Sequence, residues 1–218
     1  MSKKKNGIGS IIKDTFALLM ITAVAAVFLG FVREITAEPI AKRAEEDKQK
    51  AYLAVYENAT SVVESKDVPE LQAALAKASE ILTPAYASVT IDEACLAKDA
   101  SGTIIGYILT ATDKKGYGGA IQMVFGYSLD GTVTGIEFLT INETAGFGLE
   151  AEKNPEWRTQ YYGVPTDAFT VTKSGKTTAS EIDAISGATI TSKAVTEGIN
   201  GGVLFGKYLT EQGIGGVK

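Results

Sequence analysis

The chain has 218 residues, 45% of them hydrophobic, and a formal net charge of −5. The acidic balance argues against nucleic acid as a partner, and the lack of any histidine excludes a Ser-His-Asp triad, a Cys-His dyad and histidine metal sites built from this chain alone. Cys95 is the single cysteine, so no internal disulfide or cysteine-rich metal cluster can form, and its neighbours Ala94 and Leu96 mark it as a small core residue.

The first residues are polar and basic, with Lys3, Lys4 and Lys5 in a row. From Thr15 to Val32 no charge appears. About 18 such residues make a helix of about 27 Å, close to the thickness of a bilayer core. A buried soluble helix and a cleaved signal peptide are the rivals. Few soluble helices are apolar on every side for this long, and no small-x-small cleavage site follows Phe31. One permanent transmembrane helix is expected. Four lysines (Lys3, Lys4, Lys5, Lys13) precede the run and three cations (Arg33, Lys42, Arg43) follow it, which predicts a cytoplasmic N-terminus and an extracytoplasmic C-terminal domain in a single-pass protein of the cell membrane. The expected divisions are a basic N-terminus over 1–14, an anchor over 15–37, a helical lead-in over 38–88, a globular domain over 89–210 and a flexible tail over 211–218.

Pro39 suits the first turn of a helix leaving the membrane, which runs from Glu38 to Ala59 as a solvated stalk. A second helix is predicted from Val68 to Leu82, capped by Asp67, with Leu71, Ala74, Leu75, Ala78, Ile81 and Leu82 as its apolar face. The pattern then changes to strands. Val89 to Leu96, Thr103 to Thr112, Ile121 to Ser128 and Val133 to Thr140 read as an antiparallel meander of four strands, with Asp130-Gly131 as a hairpin signal and Lys114 to Gly119 as a glycine-rich connection. Helices precede and follow this sheet, so the class is α+β.

After Thr140 comes Glu143-Thr144-Ala145-Gly146-Phe147-Gly148, two glycines around an aromatic at a strand end. A turn needing positive φ at Gly146 or Gly148 accounts for it equally well. Trp157 is expected to pack a following helix into the core. Thr170 to Lys173 suggests a short strand. A final helix is predicted from about Ser192 to Leu209, in which Gly198, Gly201, Gly202 and Gly206 demand a close neighbour. Just before it lies Asp183-Ala184-Ile185-Ser186-Gly187-Ala188-Thr189-Ile190-Thr191-Ser192. Thr189, Thr191 and Ser192 are all candidate N-caps. A helix start leaves N–H groups unpaired and carries partial positive charge, so it suits an anion. An ordinary capped helix would read the same way.

Asp183-x-x-Ser186-Gly187-Ala188-Thr189 resembles the flavinylation motif of the FMN-binding domain family, and Glu143 to Gly148 resembles that family's E-T-x-G-x-G segment, with Ala145 where proline is usual and Phe147 where leucine is frequent. The resemblance runs from Val89 to the end and, with the single anchor, is to the G-type subunits of Rnf electron-transport complexes; the C-type subunits of sodium-translocating NADH:quinone oxidoreductases are the related alternative. It implies FMN joined through its phosphate to Thr189 by a separate flavin transferase. Asp183, Ser186, Gly187, Ala188, Thr191, Glu143, Thr144, Gly146, Phe147 and Gly148 would surround the cofactor. It also implies membrane and iron-sulfur partner subunits, membrane lipid around the anchor, and electron transfer between ferredoxin and NAD coupled to movement of Na+ or H+. A stand-alone extracytoplasmic flavin reductase is less well served, since no G-x-G-x-x-G follows a strand and opens a helix. A tethered scaffold without flavin would leave the motif unexplained.

Overall fold

The computed structural model describes residues 8–83 and 85–216. Lys3, Lys4 and Lys5, on which the expected orientation partly rests, lie outside them, as do Val217 and Lys218. Two compact units are present, Met1–Asp47 and Lys48–Lys218.

Helix α1 spans Ile8–Ala54, 47 residues, or about 70 Å at 1.5 Å per residue. Among the described residues it is the one helix long and apolar enough to cross a membrane. The sequence predicts a new helix starting at Pro39, but α1 continues through that proline. A proline removes one backbone donor and leaves the carbonyl four residues earlier unpaired. The second compact unit begins at Lys48, so most of the expected lead-in belongs to the globular domain.

The domain is built on a five-stranded antiparallel sheet, β1 Ser61–Glu64, β2 Val89–Lys98, β3 Ile104–Asp113, β4 Ile121–Ser128 and β5 Val133–Thr140, in sequential order. The four predicted strands are present, and β1 is an edge strand added to them. Alternate residues face opposite ways along a strand, and both faces here are covered. Leu109, Met123 and Phe125 belong to the main core, whereas Cys95, Ile108 and Val124 belong to a smaller core on the opposite face with Tyr52, Val55 and Tyr56. The approach of Val55 and Tyr56 requires glycines. A Cβ on Gly106 would meet the Tyr56 ring at 2.8 Å, and one on Gly135 would meet the Val55 backbone at 2.8 Å. Cys95 is buried here as expected, and burial pushes its thiol up to about 12.

The predicted second helix is two short ones, α2 Pro69–Ala76 and α3 Ala78–Leu82. Asp67 does not cap α2; Val68 occupies the N-cap without a side-chain hydrogen bond. Beyond the sheet come α4 Glu150–Lys153, α5 Pro155–Arg158 and a parallel pair, β6 Thr170–Thr172 with β7 Glu181–Asp183. Helix α6, Thr189–Glu211, then lies across the main core. Its glycines face bulky side chains of the sheet rather than another backbone. A Cβ on Gly198 would meet Met123 Cε at 2.8 Å, and one on Gly202 would overlap the Phe125 ring. Within the tail, the Tyr107 hydroxyl donates to the Ile214 carbonyl at 2.8 Å.

Candidate functional site

Three segments distant in sequence meet at the start of α6. They are the glycine-rich loop after β3, the loop after β5, and the turn that ends β7. Between them opens a cleft of about 450 Å³ lined by Tyr117, Glu143, Thr144, Phe147, Gly148, Gly187, Ala188, Thr189, Ile190 and Thr191. That volume lies within the range of small-molecule sites, roughly 300–1,000 Å³.

The sequence places the helix start here by a turn. Gly187 has φ of +73°, a left-handed conformation that costs a side-chain-bearing residue about 1–2 kcal/mol. The absence of its side chain also makes room: a Cβ there would lie 2.8 Å from the Phe147 ring. Gly187 and the Gly146–Gly148 loop, 39 residues apart from Gly148 to Gly187, therefore meet. Ala188 takes the N-cap position and offers no side-chain acceptor. None of the three hydroxyl residues expected as N-cap fills that role. The first bond of the helix is Ser192 N–H to Ala188 carbonyl at 2.9 Å. The N–H groups of Thr189, Ile190 and Thr191 have no acceptor among the described residues, so they remain directed beyond the helix end.

The hydroxyls divide by environment. Ser192 is fully buried; its Oγ accepts from Ile185 N–H at 3.0 Å and donates to the Ala188 carbonyl at 2.9 Å. Thr191 is 1% exposed and donates to Glu143 Oε2 at 3.0 Å. Thr189 is half-buried, lines the cleft, and its hydroxyl has no partner among the described residues. Glu143 is itself buried, and its Oε1 accepts from Gly118 N–H at 3.1 Å. Packing around that carboxylate is tight: a Cβ on Gly148 would fall 2.5 Å from Thr191 Oγ1 and 2.6 Å from Glu143 Oε2.

The rim is apolar and open. Among the described residues of the globular unit the exposed large hydrophobic ones are Leu53, Tyr117, Phe147 and Ile190, and the last three line this cleft at 71%, 51% and 54% exposure. Scattered exposed apolar residues need no explanation, but a cluster around a cleft marks a binding surface.

Of the residues expected at the site, Glu143, Thr144, Phe147, Gly148, Gly187, Ala188, Thr189 and Thr191 line the cleft. Asp183, Ser186 and Gly146 do not. Asp183 ends β7, where its backbone N–H donates to Gln160 at 2.8 Å and its carbonyl accepts from Trp157 Nε1 at 2.7 Å. Trp157 thus packs as expected and holds the strand that leads to the site. Ser186 is exposed beside the turn, and Gly146, with φ of +77°, is the residue that shapes the loop. Tyr117, Ile190 and the Gly118 amide escape a reading of the sequence. An aromatic set among glycines is the available signal for Tyr117; nothing in residue type signals a backbone donor.

Residues 116–203 match the family model described as FMN-binding domain. The chain is also similar to the G subunit of the Na+-translocating ferredoxin:NAD+ oxidoreductase complex of Acetobacterium woodii, with 33% identity over 189 residues, 84% of this chain and 85% of that protein. It belongs to the G-subunit family of ion-translocating oxidoreductase complexes. Another similar member is the G subunit of the proton-translocating ferredoxin:NAD+ oxidoreductase complex of Clostridium ljungdahlii, 43% identical over 95 residues, 44% of this chain and 50% of that one. Among solved structures, Shewanella oneidensis NqrC is 21% identical with a TM-score of 0.47, covering 55% of this chain and 59% of that one. The family match from residue 116 to 203 includes every residue that lines the cleft.

Proposed function

We propose that this protein relays electrons through FMN esterified to Thr189, as a membrane-anchored subunit of an ion-translocating ferredoxin:NAD+ oxidoreductase complex. The observation that carries the reading is the selective exposure of one hydroxyl. Thr189, Thr191 and Ser192 lie within four residues, yet only Thr189 faces the cleft with a free hydroxyl.

The residues fit the group. Unpaired N–H groups in the first turn of α6 and the partial positive charge of the helix start suit a phosphodiester. Gly187 and Gly148 leave the walls without Cβ atoms. Tyr117, Phe147 and Ile190 offer apolar surface to a flat ring. When bound, FMN supplies the electron-carrying chemistry; the protein supplies attachment, orientation and electrostatics. Thr189 Oγ1 would provide the ester oxygen that holds the group at the helix start. The Phe147 and Tyr117 side chains would restrict water at the mouth.

The remaining parts of the proposal follow the anchor. Lipid surrounds the apolar part of α1, a flavin transferase loads Thr189, and membrane and iron-sulfur subunits complete the electron path. The cation bias around the apolar run supports a cytoplasmic N-terminus with the FMN domain outside.

The test is in-gel flavin fluorescence of the denatured full-length chain, co-produced with a flavin transferase. Thr189→Val is expected to abolish the signal, whereas Thr191→Val retains it. Covalent flavin on the Thr189→Val chain would refute the assignment.

A further inference from the structure

Resting on the reading of this cleft as the FMN site, we propose that Glu143 is a positioning residue, a carboxylate clamp that fixes the glycine-rich loop to the first turn of α6. It joins parts of the chain that the sheet alone does not hold in register. Oε1 takes the Gly118 amide from the loop between β3 and β4, and Oε2 takes the Thr191 hydroxyl from α6. The residue itself sits on the segment after β5. Three walls of the cleft therefore converge on one side chain.

Its surroundings are built for this. Glu143 is 9% exposed, and among the described residues no lysine or arginine forms an ion pair with it. A buried carboxylate without a cation depends on its hydrogen bonds, and both of its oxygens are used. Glycines let the backbone close around it: a Cβ on Gly116 would lie 2.9 Å from Oε1 and one on Gly148 2.6 Å from Oε2. The same loop is pinned at its other end, where Asp113 Oδ1 accepts from Lys115 N–H at 2.6 Å. Between those two carboxylates the chain has one large side chain that lines the cleft, Tyr117. The clamp thus sets where the Tyr117 wall stands relative to Thr189.

The clamp is tested by hydrogen exchange at the Gly118 amide in the full-length, flavin-free protein in detergent, and by flavin yield after co-production with the transferase. Glu143→Met keeps length but removes both acceptors. Its Gly118 amide is expected to exchange at least roughly tenfold faster, as for loss of a hydrogen bond to a charged group, and its flavin yield to fall severalfold. Glu143→Gln can rescue, because its carbonyl oxygen accepts from Gly118 and its amide donates to Thr191 Oγ1 once that hydroxyl turns; exchange and yield should stay near the parent. Glu143→Asp keeps the charge but falls one methylene short, and should exchange like the methionine variant, giving a second measurement if Glu143→Met does not fold. Parental exchange in the Met or Asp variants overturns the clamp, as does a Gln variant that behaves like Met. If the parent chain takes no flavin, the functional reading fails while the exchange comparison still decides the clamp.

Discussion

Gly148→Ala addresses the packing at the centre of the cleft. Gly148 does not have a positive φ, so alanine is allowed by the backbone and the effect must come from contacts. The new Cβ would lie 2.5 Å from Thr191 Oγ1, 2.6 Å from Glu143 Oε2 and 2.9 Å from Glu143 Cβ. Both contacts are too short to stand, so the Thr191 hydroxyl and the Glu143 carboxylate must be displaced and the 3.0 Å bond between them is lost. A hydrogen bond to a charged group contributes roughly 1.5–3 kcal/mol. Lower entropy of the unfolded chain offsets about 0.4–1 kcal/mol of that. The net loss is on the order of 0.5–2.5 kcal/mol, which for a chain of this size lowers Tm by roughly 1–10 °C. Trp157 is the single tryptophan and is buried in the globular unit, so its emission reports the melt directly. Covalent flavin yield read on the same samples should fall with it. A Tm within roughly 1 °C of the parent, with normal flavin yield, would show that the Glu143–Thr191 contact is not under constraint and would refute the reasoning.

How far the sequence leads depends on which interactions make each element. Strands β2 to β5 are readable because each carries apolar residues on at least one face over eight or more positions. Strand β1 has four residues at a sheet edge, and its pairing of Val63 with Leu96 is a long-range contact that no local pattern announces. Pro39 signals a helix start by its usual preference, but that local preference yields here, where the helix continues on both sides of it. At the site, Thr189 and the two glycine-containing segments are found by motif. The motif does not show why Thr189 differs from its neighbours. That difference arises because Glu143 and the Ala188 carbonyl occupy the other two hydroxyls, and those partners come from tertiary packing and backbone geometry. The hydroxyl-rich sequence suggests a side-chain cap for the same reason, yet the structure uses Thr191 and Ser192 elsewhere and leaves the helix end open.

Two further substitutions test the frame that holds the cleft. Gly202→Ala gains about 1 kcal/mol of helix propensity, but its Cβ would overlap the Phe125 ring, which is fully buried. Overpacking of that kind costs roughly 1–3 kcal/mol or more, so Tm by Trp157 emission should fall, whereas Gly30→Ala, with nothing within 4 Å, should leave it unchanged; an equal or higher Tm for Gly202→Ala would contradict the packing. Asp113→Asn should stabilise the domain at neutral pH. Burial is the main cause that raises the Asp113 carboxyl above its usual 3.8, with the Glu197 carboxylate adding to it and bonds from Lys115 N–H and Ser88 opposing it. A carboxyl whose folded value is raised favours the folded state at low pH and loses that contribution as pH rises through the folded value. At pH 7 the parent therefore carries the full cost of burying this charge. The substituted amide can keep both neighbours: its oxygen accepts from Lys115 N–H, and its NH2 donates to Ser88 Oγ. Ser88 is free to turn because its Oγ already lies 3.2 Å from Glu197 Oε2. The Tm advantage of Asp113→Asn should thus be largest near neutrality and shrink as pH falls, closing only below 3.8, where the parent carboxyl is protonated in both states. A variant less stable than the parent at pH 7, or an advantage that grows toward acid, would mean that Asp113 serves the fold as a charge and not despite it.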